Sequence, residues 1–291
     1  MPIRPRRSVL YVPADKPRAI EKARGLDCDT VVLDLEDAVA PEAKAAARET
    51  LAALSRDSFP GREFVIRVGS AGMSDPGEAE AVLAARPDAV LVPKVRSAAD
   101  LQHVQERIDG GSAGAEIALW AMIETPEALL AAGAIAGCCM AGVRLRCLVI
   151  GTNDLALETR VPLEPGRAAY VPWFMQIVAA ARTQRLDVID GVLNDFRDEA
   201  LLRSECLQAR SLGMDGKSLI HPGQIAVANA VFRPAPQEVA WAGAVAAAFT
   251  LPENKGKGVL AMDGRMIERL HLGAAQRILD MAQACERKDR R

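Results

Sequence analysis

The sequence predicts an α/β protein, a (β/α)8 barrel of the TIM type with a C-terminal helical extension. Three observations carry that expectation. Short apolar runs recur eight times, separated by stretches with helical spacing. The runs are continuously apolar rather than alternating, which suits parallel strands covered on both faces. The first run leads into "VPADKP", where an open doubly wound sheet would more often show a Gly-rich G-x-G-x-x-G turn. Eight strands close a barrel, whose usual size is ~250 residues.

The runs span residues 9–12, 30–35, 64–68, 89–92, 117–123, 147–150, 186–189 and 217–220. Between them, residues 41–54, 78–85, 98–108 and 197–212 are Ala-, Glu- and Arg-rich with helical periodicity. The stretch "LWAMIETPE" (119–127) shows how one strand should end. Its apolar run stops at Glu124, Thr125 is placed to cap a helix, and Pro126 suits the first helical position through its fixed φ and missing N–H. These units assign residues 1–232 to the barrel. Residues 233–291 form the extension, which opens with "RPAPQE" and contains "PENKGKG" (252–258). The last amphipathic piece, 259–279, has a turn at Asp263-Gly264 followed by a helix, and reads equally as a strut or a lid.

Composition excludes several classes. With 36 basic and 38 acidic residues the formal net charge is −2, so nothing draws the chain as a whole to nucleic acid or membrane. Arg4, Arg6 and Arg7 form a basic N-terminus that reads as solvated. The apolar run after them is cut short by Pro13, Asp15 and Lys16, which argues against a signal peptide. The longest weakly polar run, 240–251, falls well short of the ~20 residues a bilayer requires. Six cysteines show no C-x-x-C spacing, and the adjacent Cys138 and Cys139 read as small core residues. The expectation is a reduced, cytoplasmic protein.

Barrel chemistry sits at the C-terminal strand ends, and most of these exits carry polar side chains. The second offers Asp34, Glu36 and Asp37, the third Arg67, the fourth Lys94, and the fifth Glu124. The sixth offers Asn153 and Asp154, and the eighth Lys217 and His221. Taken singly, each has an ordinary reading: Asp37 and Asp154 as helix caps, Arg67 as an ion-pair partner, Lys94 as a snorkelling side chain, His221 as a turn residue. Together they bring carboxylates and an arginine to one mouth. Carboxylates crowded together favour a cation between them, and one or two hard oxygen ligands suit Mg2+. Three histidines in all, without H-E-x-x-H, argue against zinc.

The stretches "RSVLYVPADKP", "VVLDLEDAVAPEAKAAAR", "VIRVGS", "LVPKV", "MIETPEAL", "IGTNDLALE", "LGMDGKSLIHPGQI" and "MDGRMIE" lie in collinear order along nearly the whole chain. They resemble the citrate lyase β-subunit-like CoA-ester lyases of the HpcH/HpaI aldolase superfamily. The resemblance implies a barrel enzyme that uses Mg2+, with Mn2+ as the alternative ion. Such an enzyme cleaves a malyl-, citramalyl- or citryl-CoA type ester to acetyl-CoA and a 2-oxo acid. It assigns Glu124 and Asp154 to the metal, and Arg67 to substrate and catalysis. Glu36 and Asp37 fall beside the metal waters, Glu36 with a substrate-binding part and Asp37 with a catalytic one. Gly151, Thr152 and Asn153 bind the oxo-acid carboxylate, and Lys16 and Arg18 meet CoA phosphates.

In relatives a lid motif, D-G-K-M-I-D, ends in an Asp that reaches a neighbouring subunit's site as the acid. Here "DGRMIE" puts Glu268 at that position, one methylene longer, with Asp263 as a second candidate. The resemblance also implies a homo-oligomer, a trimer or hexamer. The rival readings are an aldolase on free 2-oxo acids, a malyl-CoA thioesterase, a Schiff-base aldolase on Lys94 or Lys217, and a subunit of a citrate lyase-type complex that works on an acyl-carrier partner.

Overall fold

The computed structural model describes residues 3–111, 116–262 and 264–290. Eight parallel strands close into a barrel in sequence order, each paired with the next and the last with the first. They are β1 (Ser8–Pro13), β2 (Thr30–Asp34), β3 (Glu63–Arg67), β4 (Ala89–Val92), β5 (Ala118–Ile123), β6 (Leu145–Ile150), β7 (Asp187–Asp190) and β8 (Gly216–Leu219). The connecting helices are α1 (Pro17–Ala23), α2 (Lys44–Ala52), α3 (Pro76–Ala85), α4 (Ala98–Asp109), α5 (Pro126–Gly137), α6 (Thr152–Thr159), α7 (Val171–Thr183), α8 (Glu199–Ser211) and α9 (Ile225–Phe232). The expected barrel is therefore found, with two helices rather than one after β6.

Because strand side chains alternate between faces, the apolar strands feed two separate cores. Val9, Val32, Val65, Leu91, Trp120, Cys147, Val149 and Ile189 fill the barrel interior. Their neighbours, among them Leu10, Val31, Leu33, Phe64, Ile66, Val90 and Leu148, pack outward against the helices. Burial on both faces explains why the runs carry no alternating pattern.

Arg4 is exposed, but Arg6 and Arg7 are not solvated as the sequence suggested. Arg6 forks onto Glu63 with two bonds of 2.7 Å and reaches Asp187 at 2.6 Å. Its guanidinium lies 4.9 Å over the Trp120 ring, closing the N-terminal end of the barrel. Arg7 is buried and grips Asp29 through its backbone N–H and its side chain at 2.8–2.9 Å. The reason is topological: β1 begins at Ser8, so these arginines lie where buried carboxylates on β3, β7 and the β2 approach need cations. Gly216 belongs to the same close approach, since a Cβ there would stand 1.8 Å from the Arg6 carbonyl oxygen.

Lys217 also departs from its strand-end reading. It lies in the layer outside the barrel, fully buried. Its ammonium donates at 2.8 Å to Asp190, to the Gly191 carbonyl and to Glu205 on α8. Arg167 holds the other side of Asp190 at 2.7 and 2.9 Å. All three donors of Lys217 are committed, so it supplies no amine for a Schiff base. His221 keeps its turn role: its Nδ1 accepts from the Gly223 N–H at 3.1 Å, and the ring stacks on Phe196.

A second unit takes in the chain from Arg233 onward together with residues 3–5. It comprises α10 (Pro236–Thr250), an antiparallel hairpin of β9 (Val259–Met262) and β10 (Arg265–Glu268), and α11 (Arg269–Asp289). Ala242, Val245, Ile267 and Ala275 make its core, with Trp241, Phe249 and Ile278 alongside. The amphipathic piece thus starts as strands, with Leu260 and Ile267 facing inward. Gly264 takes the left-handed φ of 74° that the tight turn requires; Asp263 lies outside the described residues. Among the described residues no helix is long and apolar enough to cross a membrane, and none of the six cysteines is disulfide-bonded.

Removing one cation from a buried network strands its partners without solvent. Lys217→Met is expected to destabilise the protein by about 3 kcal/mol, read as a lower denaturant midpoint.

Candidate active site

Parallel strands deliver all their C-terminal ends to one mouth, and register decides which ends meet there. Asp34 and Arg67 are directly paired across β2 and β3. Arg67 forks onto Asp34, with Nε–Oδ1 at 2.6 Å and Nη2–Oδ2 at 2.5 Å. Asp34 also accepts the backbone N–H groups of Glu36 and Ala38, which shapes the turn after β2. That turn brings Glu36 back over the arginine, its Oε2 3.0 Å from Arg67 Nη1. Charge attraction holds this last pair, since neither Glu36 oxygen completes an aligned hydrogen bond.

Two exits further on, Glu124 follows β5 with no solvent exposure. Thr125 behind it caps α5, accepting from the Ala128 N–H at 3.1 Å, with Pro126 in the first turn. Glu124 Oε1 accepts the Lys94 N–H at 2.7 Å, while Oε2 is buried and has no partner. Lys94 reaches this position through a left-handed backbone, φ 51°, unusual for a residue with a side chain. Its ammonium contacts Asp154 in the first turn of α6 and stands 3.9 Å from Glu124 Oε1. A lysine cation therefore lies across the two carboxylates that the sequence assigned to a metal. Gly151, between β6 and α6, lets the chains come this close; a Cβ there would stand 2.4 Å from both Cβ and Oε2 of Glu124.

The residues fit a hard divalent cation. A buried carboxylate oxygen without a partner beside a second carboxylate is an incomplete ligand set. Among the described residues no third His, Cys, Asp or Glu joins them in a cluster able to hold a metal. Two protein carboxylates with the remaining positions left to water and substrate is how Mg2+ is usually held.

Electrostatics agree. Burial pushes the Glu36 carboxyl up to about 8, helped by the charges of Glu124, Asp37 and Asp34 and opposed by Arg67. Glu124 is raised too, by burial first and by Asp154 among its neighbours, against the Lys94 N–H and ammonium. More negative charge is gathered here than Arg67 and Lys94 neutralise.

Of the residues singled out in the sequence, Asp37, Arg67, Glu124, Gly151, Thr152, Asn153 and Asp154 line one cavity of about 330 Å3, with Glu36 just behind Arg67. Lys16 and Arg18 do not line it. Lys16 pairs with Asp15 at 2.6 Å in the exposed turn before α1, and Arg18 is exposed. Glu268 belongs to the second unit, at the N-cap of α11, where its N–H donates to His271 Nδ1 at 2.8 Å. The same wall includes Tyr11, Met122, Val192, Asn194 and Ser218, which strand-end reading missed. Tyr11 and Ser218 sit inside apolar strands, and only the barrel's inward alternation would have marked them.

The fold and this mouth define a class. Residues 7–222 match the HpcH/HpaI aldolase/citrate lyase family, and the chain belongs to it. It is 44% identical over 284 residues to a (3S)-malyl-CoA thioesterase of Cereibacter sphaeroides, covering 96% of this chain and 95% of that one. It is 32% identical over 298 residues to the mitochondrial citramalyl-CoA lyase of Rattus norvegicus, covering 98% and 88%. Among solved structures it is similar to the protein CitE of Mycobacterium tuberculosis in complex with magnesium, acetoacetate and coenzyme A. There the TM-score is 0.73 at 29% identity, covering 95% of this chain and 97% of that one.

A carboxyl whose pKa is higher folded than unfolded keeps its proton longer in the native state, so its contribution to stability falls as pH rises between the two values. For Glu36 that window runs from 4.5 to about 8. In metal-free protein, Glu36→Gln is therefore expected to gain stability relative to wild type from pH 5 to pH 8, measured as the difference in urea midpoints.

Proposed function

We propose that this chain is a divalent-cation-dependent enzyme acting on the CoA ester of a small 3-hydroxy acid, malyl-CoA in type, and that it cleaves the bond between carbons 2 and 3. The observation that carries the reading is the convergence of Glu124, Asp154 and Arg67 on one cavity. Their charges gather where the hydroxyl and carboxylate of such an acid would lie.

The N-terminus of α6, with the N–H groups of Thr152 and Asn153, is suited to a carboxylate. Arg67, held in plane by Asp34 on the cavity wall, would stabilise negative charge growing on the hydroxyl oxygen. A Mg2+ or Mn2+ ion on Glu124 and Asp154 would supply Lewis-acid polarisation of the same oxygens. Asp37, exposed on the cavity wall, would take the hydroxyl proton, with Glu36 held beside Arg67. The electrons of the breaking bond pass to the thioester as an enolate, leaving a 2-oxo acid. Glu268 from a neighbouring copy in a homo-oligomer, a trimer or hexamer, would return a proton to the enolate carbon. Lys16 and Arg18, basic and exposed after β1, would meet the phosphates of CoA.

Hydrolysis of the thioester is the second reading. It is favoured by the higher identity to the malyl-CoA thioesterase, 44%, than to the citramalyl-CoA lyase, 32%.

Malyl-CoA supplied with Mg2+ should yield acetyl-CoA and glyoxylate in equal amounts, and EDTA should stop both. Free CoA with malate would show hydrolysis instead. Arg67→Ala should lower kcat/KM by roughly 10²–10³, the size typical of removing one oxyanion donor.

A further inference from the structure

Two buried hydroxyls in the cavity wall have no part in the chemistry above. Ser218 on β8 is level with Val9 of β1, and Tyr11 stands two residues further along β1, on the same inward face. The two hydroxyls lie beside each other. Both oxygens are buried and neither completes an aligned hydrogen bond, each having only the other hydroxyl within reach, and Ser218 as a whole is only 2% exposed. Arg67 fixes Tyr11 from the far side, its guanidinium 5.3 Å over the ring. The same cavity wall also carries the apolar side chains Met122, Ile150, Val192 and Ile220.

Buried side-chain polar atoms are nearly always paired, and an exception calls for a water or ligand that completes it. We infer that Tyr11 and Ser218 determine substrate specificity, as a polar floor that accepts an acid unit with hydrogen on the hydroxyl-bearing carbon and disfavours one with a methyl group there. The inference rests on the proposed action on a 3-hydroxyacyl-CoA. With hydrogen on that carbon, a cavity of about 330 Å3 leaves room for a water bonded to both hydroxyls. A methyl group would displace that water and leave the two hydroxyls with only each other. Displacing a well-ordered water by a group that cannot reproduce its hydrogen bonds loses affinity.

The test compares kcat/KM for malyl-CoA and citramalyl-CoA in wild type, Tyr11→Phe, Ser218→Ala and the double variant. Calorimetric binding of glyoxylate and pyruvate to the Mg2+-loaded proteins runs alongside. Wild type should favour malyl-CoA, and the double variant should move the ratio toward citramalyl-CoA by roughly tenfold or more, each single variant contributing. A ratio that moves less than about twofold, with both esters turned over, overturns the inference. So does a wild-type preference for citramalyl-CoA. If wild type turns over neither ester, the proposed function fails and the free acids decide. A glyoxylate preference that the double variant loses then sustains the polar floor; equal binding, or no binding, overturns it.

Discussion

The structure turns on one constraint: Glu124 ends its strand completely buried, beside a second carboxylate. Taking an ionised carboxylate out of water costs several kcal/mol unless charge and hydrogen bonds replace the lost solvent. Glu124 has one backbone N–H, a lysine ammonium at 3.9 Å and a second oxygen with nothing. Much of the surrounding architecture accommodates that carboxylate. Gly151 lacks the Cβ that would collide with it. Lys94 accepts a left-handed backbone to present both its N–H and its ammonium. Thr125 and Pro126 start a helix directly behind it, so the position cannot drift.

Arginines at the two ends of the barrel do different work. Arg6 at the N-terminal end is fully committed, with Glu63 and Asp187 on its nitrogens and Trp120 under its face. Arg67 at the other end is only part-committed: Asp34 fixes its plane through two nitrogens, while Nη1 has Glu36 at ion-pair distance and the Met122 sulfur at 3.9 Å. An arginine held rigid yet incompletely satisfied is suited to receive an anionic oxygen. The division matches the general behaviour of barrels, stability at the bottom and chemistry at the top.

The barrel and much of its mouth were legible because strand ends declare themselves: an apolar run stopping on Arg67, Glu124 or Asp154 is visible without neighbours. What stayed hidden depended on which strand lies beside which. Nothing local says that Arg6 and Arg7 will be buried, because their partners Glu63, Asp187 and Asp29 are distant in sequence. Lys217 looked like a strand-end amine. A one-residue difference in facing puts it outside the barrel against Glu205, while its neighbour Ser218 lines the cavity. The hairpin at 259–268 was masked by the same ambiguity, since short apolar runs flanking a turn fit either strand or helix spacing.

The account depends most directly on Glu124 and Asp154 sharing one divalent cation. Titrating Mn2+ into EDTA-stripped protein, with free Mn2+ read by its paramagnetic resonance signal, would measure this without any substrate. One ion per chain in wild type is the expected result, with binding lost in both Glu124→Gln and Asp154→Asn while each variant stays folded by circular dichroism. Undiminished binding of one ion in either variant would contradict it.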